Sequence, residues 1–428
     1  MRMDGVAAVY LVCLTNEGGL PLFTRSKGHS KALAFAEQGM LYGVQMFAQN
    51  HDVGLQSTTT EEAKVVWKVF HNSVTLVLIT PEDGCSDVHL NTLLDHVFHA
   101  MVMFIGLDTL ENIKNVERLR RDLKACFGVI DFLLASSEFF GGVCEAVDVL
   151  ACPENSTLQE PLDAFINSAD STFGCLHCDG RLVAATDKWW SLTGQEMMLL
   201  AAFVRTLPAG TSSDVPIYLP QASPKIPHRL VSISLLPGVI VSVLCLETPT
   251  LAEAQTTLVE PAWRAQVESL RACQKASLNG QYVPKTLIMD SGILGFLLVH
   301  TDQHKCLSSC RLPIQEGSAA DRRPLTHSRR RQVLNAFYRN TVGTLFPVCH
   351  SPQRTDPAGD MPSVFNHTVK ETYMHAKDHK CYAICSDPYQ LFVVFSVAVP
   401  NYALRSVSVD LLDILSKGKV FLDRRKSS

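Results

Sequence analysis

The stretch LAFAEQGMLYGVQMFAQNHDVGLQSTTTEEAKVVWKVFHNSVTLVLIT, residues 33–80, decides how the rest of the chain is read. Leu33, Ala36, Met40, Val44 and Phe47 recur at intervals of three or four, the stripe of an amphipathic helix. A second apolar edge through Leu41 and Met46 gives this helix more than one greasy side to hide. Three strand-like runs follow at 54–60, 65–71 and 74–80. The last two are joined by Asn72-Ser73, a two-residue link suited to a hairpin. A helix followed by an antiparallel meander, with no nucleophile or metal cluster inside it, predicts a binding platform.

Upstream, apolar runs at 6–15 and 20–26 flank Asn16-Glu17-Gly18-Gly19, which reads as strand, turn, strand. Downstream, 88–106 reads as a second helix. Residues 110–135 read as a third, with Ile113, Val116, Leu119, Leu123, Phe127, Ile130 and Leu134 at near-heptad spacing. The order is β-β-α-β-β-β-α-α, a five-stranded antiparallel sheet with helices on its faces. A turn-rich break at 152–156 closes this unit, and the same order recurs over 158–274 and 293–417 without residue-level repetition. The expected architecture is therefore α/β of the α+β kind, with domains at 1–152, 156–276 and 286–428.

Composition bounds the function. Of 428 residues, 46% are hydrophobic and 19% charged, which suits globular units with ample core. A net charge of −4 supplies no global basic field, so no nucleic-acid partner is expected. Most of the 14 cysteines sit inside apolar runs, and no small-residue cleavage site follows the first apolar run, so a reduced cytoplasmic protein is expected. The longest apolar runs, 100–107 and 235–246, fall short of the ~20 residues of a membrane span.

Motifs of chemistry are weak. Cys175 and Cys178 spell C-x-x-C without a second pair, and on a strand they point to opposite faces, so they read as core cysteines. His300, His304 and Cys306 flank a hairpin but lack a fourth ligand. Phosphate-binding glycine loops, zinc-protease helices and nucleophile elbows are missing from the sequence. No catalytic residue, metal, cofactor or small-molecule substrate is expected. Two surface features remain. The cationic residues Arg118, Arg121, Lys124, Arg329, Arg330 and Arg331 suit an acidic partner or a phosphoinositide membrane. The tandem Trp189-Trp190 suits a core anchor plus one ring at an interface.

Several strings carry a family likeness. They are Gly19-Leu20-Pro21-Leu22-Phe23, residues 43–50, Val65-Val66-Trp67-Lys68, residues 112–119, Val183-Ala184-Ala185-Thr186-Asp187 with Trp189-Trp190, and Pro227-His228-Arg229-Leu230. Together they resemble the tri-longin family of vertebrate planar cell polarity effectors. The likeness covers nearly the whole chain and thins across 315–361. It implies three tandem longin-like domains and a heterodimer with Inturned. It further implies assembly with the propeller protein Fritz in the ciliogenesis and planar polarity effector (CPLANE) complex. Engagement of a Rab-like small GTPase is implied too, with work at the basal body and cytoskeleton supporting intraflagellar transport and Hedgehog signalling. By analogy with tri-longin exchange factors, the expected partner interface is Met40, Leu41, Val44, Met46 and Phe47 with Trp67 and Trp190.

Overall fold

The computed structural model describes residues 9–28, 33–61, 63–81, 86–135, 140, 142–278, 289–312, 325–346 and 369–417. The first unit contains β1 (Val9–Thr15), β2 (Pro21–Lys27), α1 (Phe35–Asn50), β3 (Ser57–Thr59), β4 (Ala63–Phe70) and β5 (Val74–Pro81). Its strands lie in the order β2-β1-β5-β4-β3, every pair antiparallel. The β4–β5 connection is one residue longer than expected: Phe70 pairs with Val74 across His71-Asn72-Ser73. His71 and Asn72 both take positive φ, the left-handed backbone conformation whose turn matches the right-handed twist of the paired strands.

Helix α2 (Asp87–Ile105) covers one face of this sheet, capped by Ser86, whose hydroxyl accepts from the His89 N–H at 3.2 Å. By length and composition it could span a membrane, but most of it is buried inside the protein, as a core helix is. It stops at Gly106, where φ is +83° and the Tyr218 ring stands 2.8 Å from where a Cβ would be. The single long helix expected over 110–135 is instead α3 (Leu107–Glu111), α4 (Val116–Asp122), a 3-10 turn and α5 (Phe127–Leu134). Asn115 breaks it: its side chain accepts from the Arg118 N–H at 2.9 Å and starts a new helix. Leu119, Leu123, Ile130 and Leu134 nonetheless turn inward, as their spacing predicts.

A two-residue strand, β6 (Val147–Asp148), precedes the second unit. That unit runs α6 (Asn155–Ser168), β7 (Gly174–Cys178), β8 (Arg181–Ala185), α7 (Gly194–Thr206), β9 (Ser213–Leu219), β10 (Ser223–Leu236) and β11 (Val239–Cys245). Its sheet order, β8-β7-β11-β10-β9, repeats that of the first. The expected closing helix is interrupted: α8 (Leu251–Glu253), a π turn at Ala254–Leu258, α9 (Val259–Trp263), a 3-10 turn and α10 (Val267–Leu278). Pro261, with no N–H to donate, lies within the interrupted stretch.

The third unit has β12 (Ile293–His300), β13 (Lys305–Ser309), α11 (His327–Thr344), β14 (Glu371–His375), β15 (Lys380–Ser386), β16 (Tyr389–Phe395) and α12 (Leu404–Lys417). Its sheet has six strands rather than five, because β6 adds itself in parallel beside β13. Most of the polar loop expected at 314–327, the loop expected at 350–362 and the basic cluster at 424–426 lie outside the described residues. One apolar core joins α2, α5 and α7 to the inner faces of all three sheets. A buried ion cluster adds to the seam: Asp148 takes the Arg181 guanidinium at 3.0 Å and that of Arg205 at 3.4 Å.

Candidate partner interface

The two faces of the first sheet are covered unequally. One carries α2 and α5 over the large shared core. Among the described residues the other carries only α1, over a small cluster of Val12, Leu14, Val65, Trp67 and Val77. Polar contacts seat α1 there. The Trp67 indole N–H donates to the Leu41 carbonyl at 3.3 Å, and the buried Gln45 amide donates to the Thr75 hydroxyl at 3.3 Å. The Tyr42 hydroxyl accepts from Gly18 N–H at 3.1 Å and donates to Asn16 O at 3.2 Å. Its ring presses on Gly19, a position at φ +60° where any Cβ would clash.

These anchors fix which way the helix faces. Leu41, Tyr42 and Gln45 turn toward the sheet. Met40, Val44 and Phe47, one stripe at i, i+4 and i+7, turn away and are 66%, 49% and 68% exposed. Phe35, at the helix start, is exposed as well. The apolar stripe so plain in the sequence is thus the outer face of α1. Its only fully buried residue is a glutamine. Fully burying side chains of this kind is worth roughly 1.5–3 kcal/mol each, so the stripe holds several kcal/mol for whatever covers it. Met46 lies half-buried on the flank.

Three of the expected contact residues are interior. Trp67 is 4% exposed, because it is the wedge between α1 and the sheet rather than an outward ring. Trp190 is 6% exposed, in the 3-10 turn after β8, with the Lys305 ammonium 3.9 Å from its ring centre. Arg330 is 2% exposed and spends its guanidinium on the carbonyls of Leu325, Leu294 and Leu312, so it is not a membrane contact. Helical rotation separates its neighbours: Arg331 lies over the Phe140 ring at 5.2 Å, while Arg329 sits in the first turn of α11. Arg118, Arg121 and Lys124 are exposed at intervals of three, and Arg118 stands 3.6 Å from Asp122. They form a cationic ridge.

Several buried thiols and imidazoles are held neutral. Burial pushes the Cys178 and Cys381 thiols up to about 12, and lowers His177 to about 3. Cys175 and Cys178 do fall on opposite faces of β7, in two different core clusters. Among the described residues, His300, His304 and Cys306 do not gather into a ligand set. The His300 ring instead packs edge-on against Tyr389.

Three sheets sharing one antiparallel five-strand order, each crossed by a helix between its second and third strands, define a protein of three longin domains. The models for the first, second and third longin domains of FUZ, MON1 and HPS1 match residues 9–133, 169–260 and 292–419, and the chain belongs to that family. It is similar to the protein fuzzy homolog of Xenopus tropicalis, 40% identical over 409 residues that cover 94% of this chain and 96% of that protein. The human protein fuzzy homolog is 37% identical over 427 residues, covering 95% and 97%. The rat protein is also 37% identical, over 426 residues.

Proposed function

We propose that this chain is a non-enzymatic assembly subunit whose α1 pairs with a homologous longin domain, that of Inturned. The observation that supports this most is the outward stripe of Met40, Val44 and Phe47, on a helix with one buried residue where its counterpart α7 has eleven and α11 eight. The pair, assembled with Fritz in the CPLANE complex, would hold a Rab-like small GTPase and act at the basal body in cilium biogenesis, planar cell polarity and Hedgehog signalling. If the pair also drives nucleotide exchange, it does so by binding the switch-open GTPase more tightly than the closed one, which is differential binding rather than bond chemistry.

Replacing Val44 and Phe47 by glutamate abolishes co-purification with Inturned while the chain stays folded by circular dichroism. Undiminished pairing refutes the assignment of α1. Nucleotide release from Rab-type GTPases, measured with the purified pair, separates the exchange factor from a scaffold that only binds. A second reading, a phosphoinositide-facing scaffold, is favoured by the exposed ridge of Arg118, Arg121 and Lys124.

A further inference from the structure

Cys152, on the loop into α6, and Cys273, inside α10, bring their sulfurs to 3.2 Å of each other. Glu154 adds a carboxylate two residues after Cys152. One donor atom from each of these three side chains lies within 4.8 Å of the other two. Cys273 is buried on the apolar floor beneath α6 and α10, whereas Cys152 and Glu154 are half-exposed, so the cluster opens to solvent on one side. The loop is held in place. Asn155 accepts from the Cys152 thiol at 2.6 Å and donates to the Leu150 carbonyl at 2.6 Å. The buried Cys178 thiol, bonded to Ser277 one turn along α10 from Cys273, borders the same place.

We propose that Cys152, Cys273 and Glu154 form a zinc-binding site that ties the entry of the second longin unit to its last helix. Tetrahedral zinc takes sulfur at about 2.3 Å and carboxylate oxygen at about 2.0–2.2 Å, which separates two bound sulfurs by about 3.8 Å. The sulfurs here need part by only about half an ångström. Two thiols and one carboxylate are the donors a borderline-soft ion prefers and a hard ion such as magnesium does not. On binding, Zn²⁺ displaces one proton from each thiol to solvent, and its charge offsets the two thiolates that an apolar floor does not tolerate uncompensated, while the half-exposed Glu154 carboxylate keeps contact with water. The side of the cluster open to solvent leaves the fourth position to a water. The two cysteines stand 121 residues apart, so the ion cross-links nearly the whole second unit and steadies the helix that leads to the third.

The test uses the full chain, stripped with a chelator and titrated with zinc or cobalt alone. One equivalent of zinc binds and raises the unfolding midpoint, and Co²⁺ gives a sulfur-to-metal charge-transfer band in the near ultraviolet. Cys152→Ser and Cys273→Ala lose both signals, while Cys385→Ser keeps them. Glu154→Gln, which leaves both thiols and the core untouched, weakens zinc about 10-fold or more. Failure of the wild type to hold one equivalent overturns the proposal. So does affinity unchanged in Glu154→Gln and Cys273→Ala. A metal-blind chain two hydrogens lighter than the reduced form, with Cys152 and Cys273 joined as a disulfide, overturns it equally.

Discussion

Helices α1 and α7 hold the same place in two copies of one fold, yet their surroundings are opposite. In α7, eleven of thirteen residues are buried, because the first unit lies across it: Phe203 meets Phe104 edge-on at 5.5 Å, and Gln195 bonds His96 at 3.0 Å. In α1 one residue is buried, and the apolar stripe looks outward. A longin helix thus has two apolar sides, one for its own sheet and one for a neighbour. The second unit finds its neighbour within the chain, and the first does not among the described residues.

The largest expected difference between the two helices is in stability. Met198→Ala in α7 opens a cavity in the shared core and costs roughly 2–5 kcal/mol by denaturant titration of the free chain. Met40→Ala in α1 stays within about 0.5 kcal/mol. A comparable loss at Met40 would mean that α1 is already covered.

The cover over α7 has a titratable seam. Burial lowers His96 to about 4, against a weaker opposing bond to the Gly142 carbonyl and the nearby Asp95 charge. Its Nε2 donates to that carbonyl at 2.8 Å, which leaves Nδ1 to accept from the Gln195 amide. A second proton would set two donors against each other. Because the unfolded histidine titrates near 6.5, this contribution is complete above that pH and declines as pH falls toward about 4, by roughly 3 kcal/mol in all. Unfolding free energies of wild type and His96→Gln across that window check it, the variant showing the shallower slope.

Smaller effects follow at α1. Trp67→Phe removes the bond to the Leu41 carbonyl, costs about 1–2 kcal/mol and speeds hydrogen exchange across 35–50. Arg121→Glu with Lys124→Glu leaves stability within about 0.5 kcal/mol and abolishes binding to phosphoinositide vesicles if the ridge meets a membrane.

What the sequence made legible followed from periodicity. Strands such as β5 and β12 are rich in apolar residues, and the threefold order shows through them. The direction of α1 was hidden, because an apolar stripe does not say whether it faces its own sheet. Tyr42, Gln45 and Trp67, which decide the matter, are weak signals one at a time. Burial of Arg330 was equally invisible, since its partners are backbone carbonyls, which any residue supplies. β6 is two residues long, paired across more than 150 positions, and a ligand set split between 152 and 273 matches no local spacing.

The contrast between the helices can be read in one experiment, oxidative footprinting of Met40 and Met198 in the free chain and in the proposed complex with Inturned. In the free chain Met40 is oxidised fast and Met198 slowly, and in the complex Met40 becomes as slow as Met198. Equal oxidation of Met40 with and without the partner would show that α1 is not where the two proteins meet.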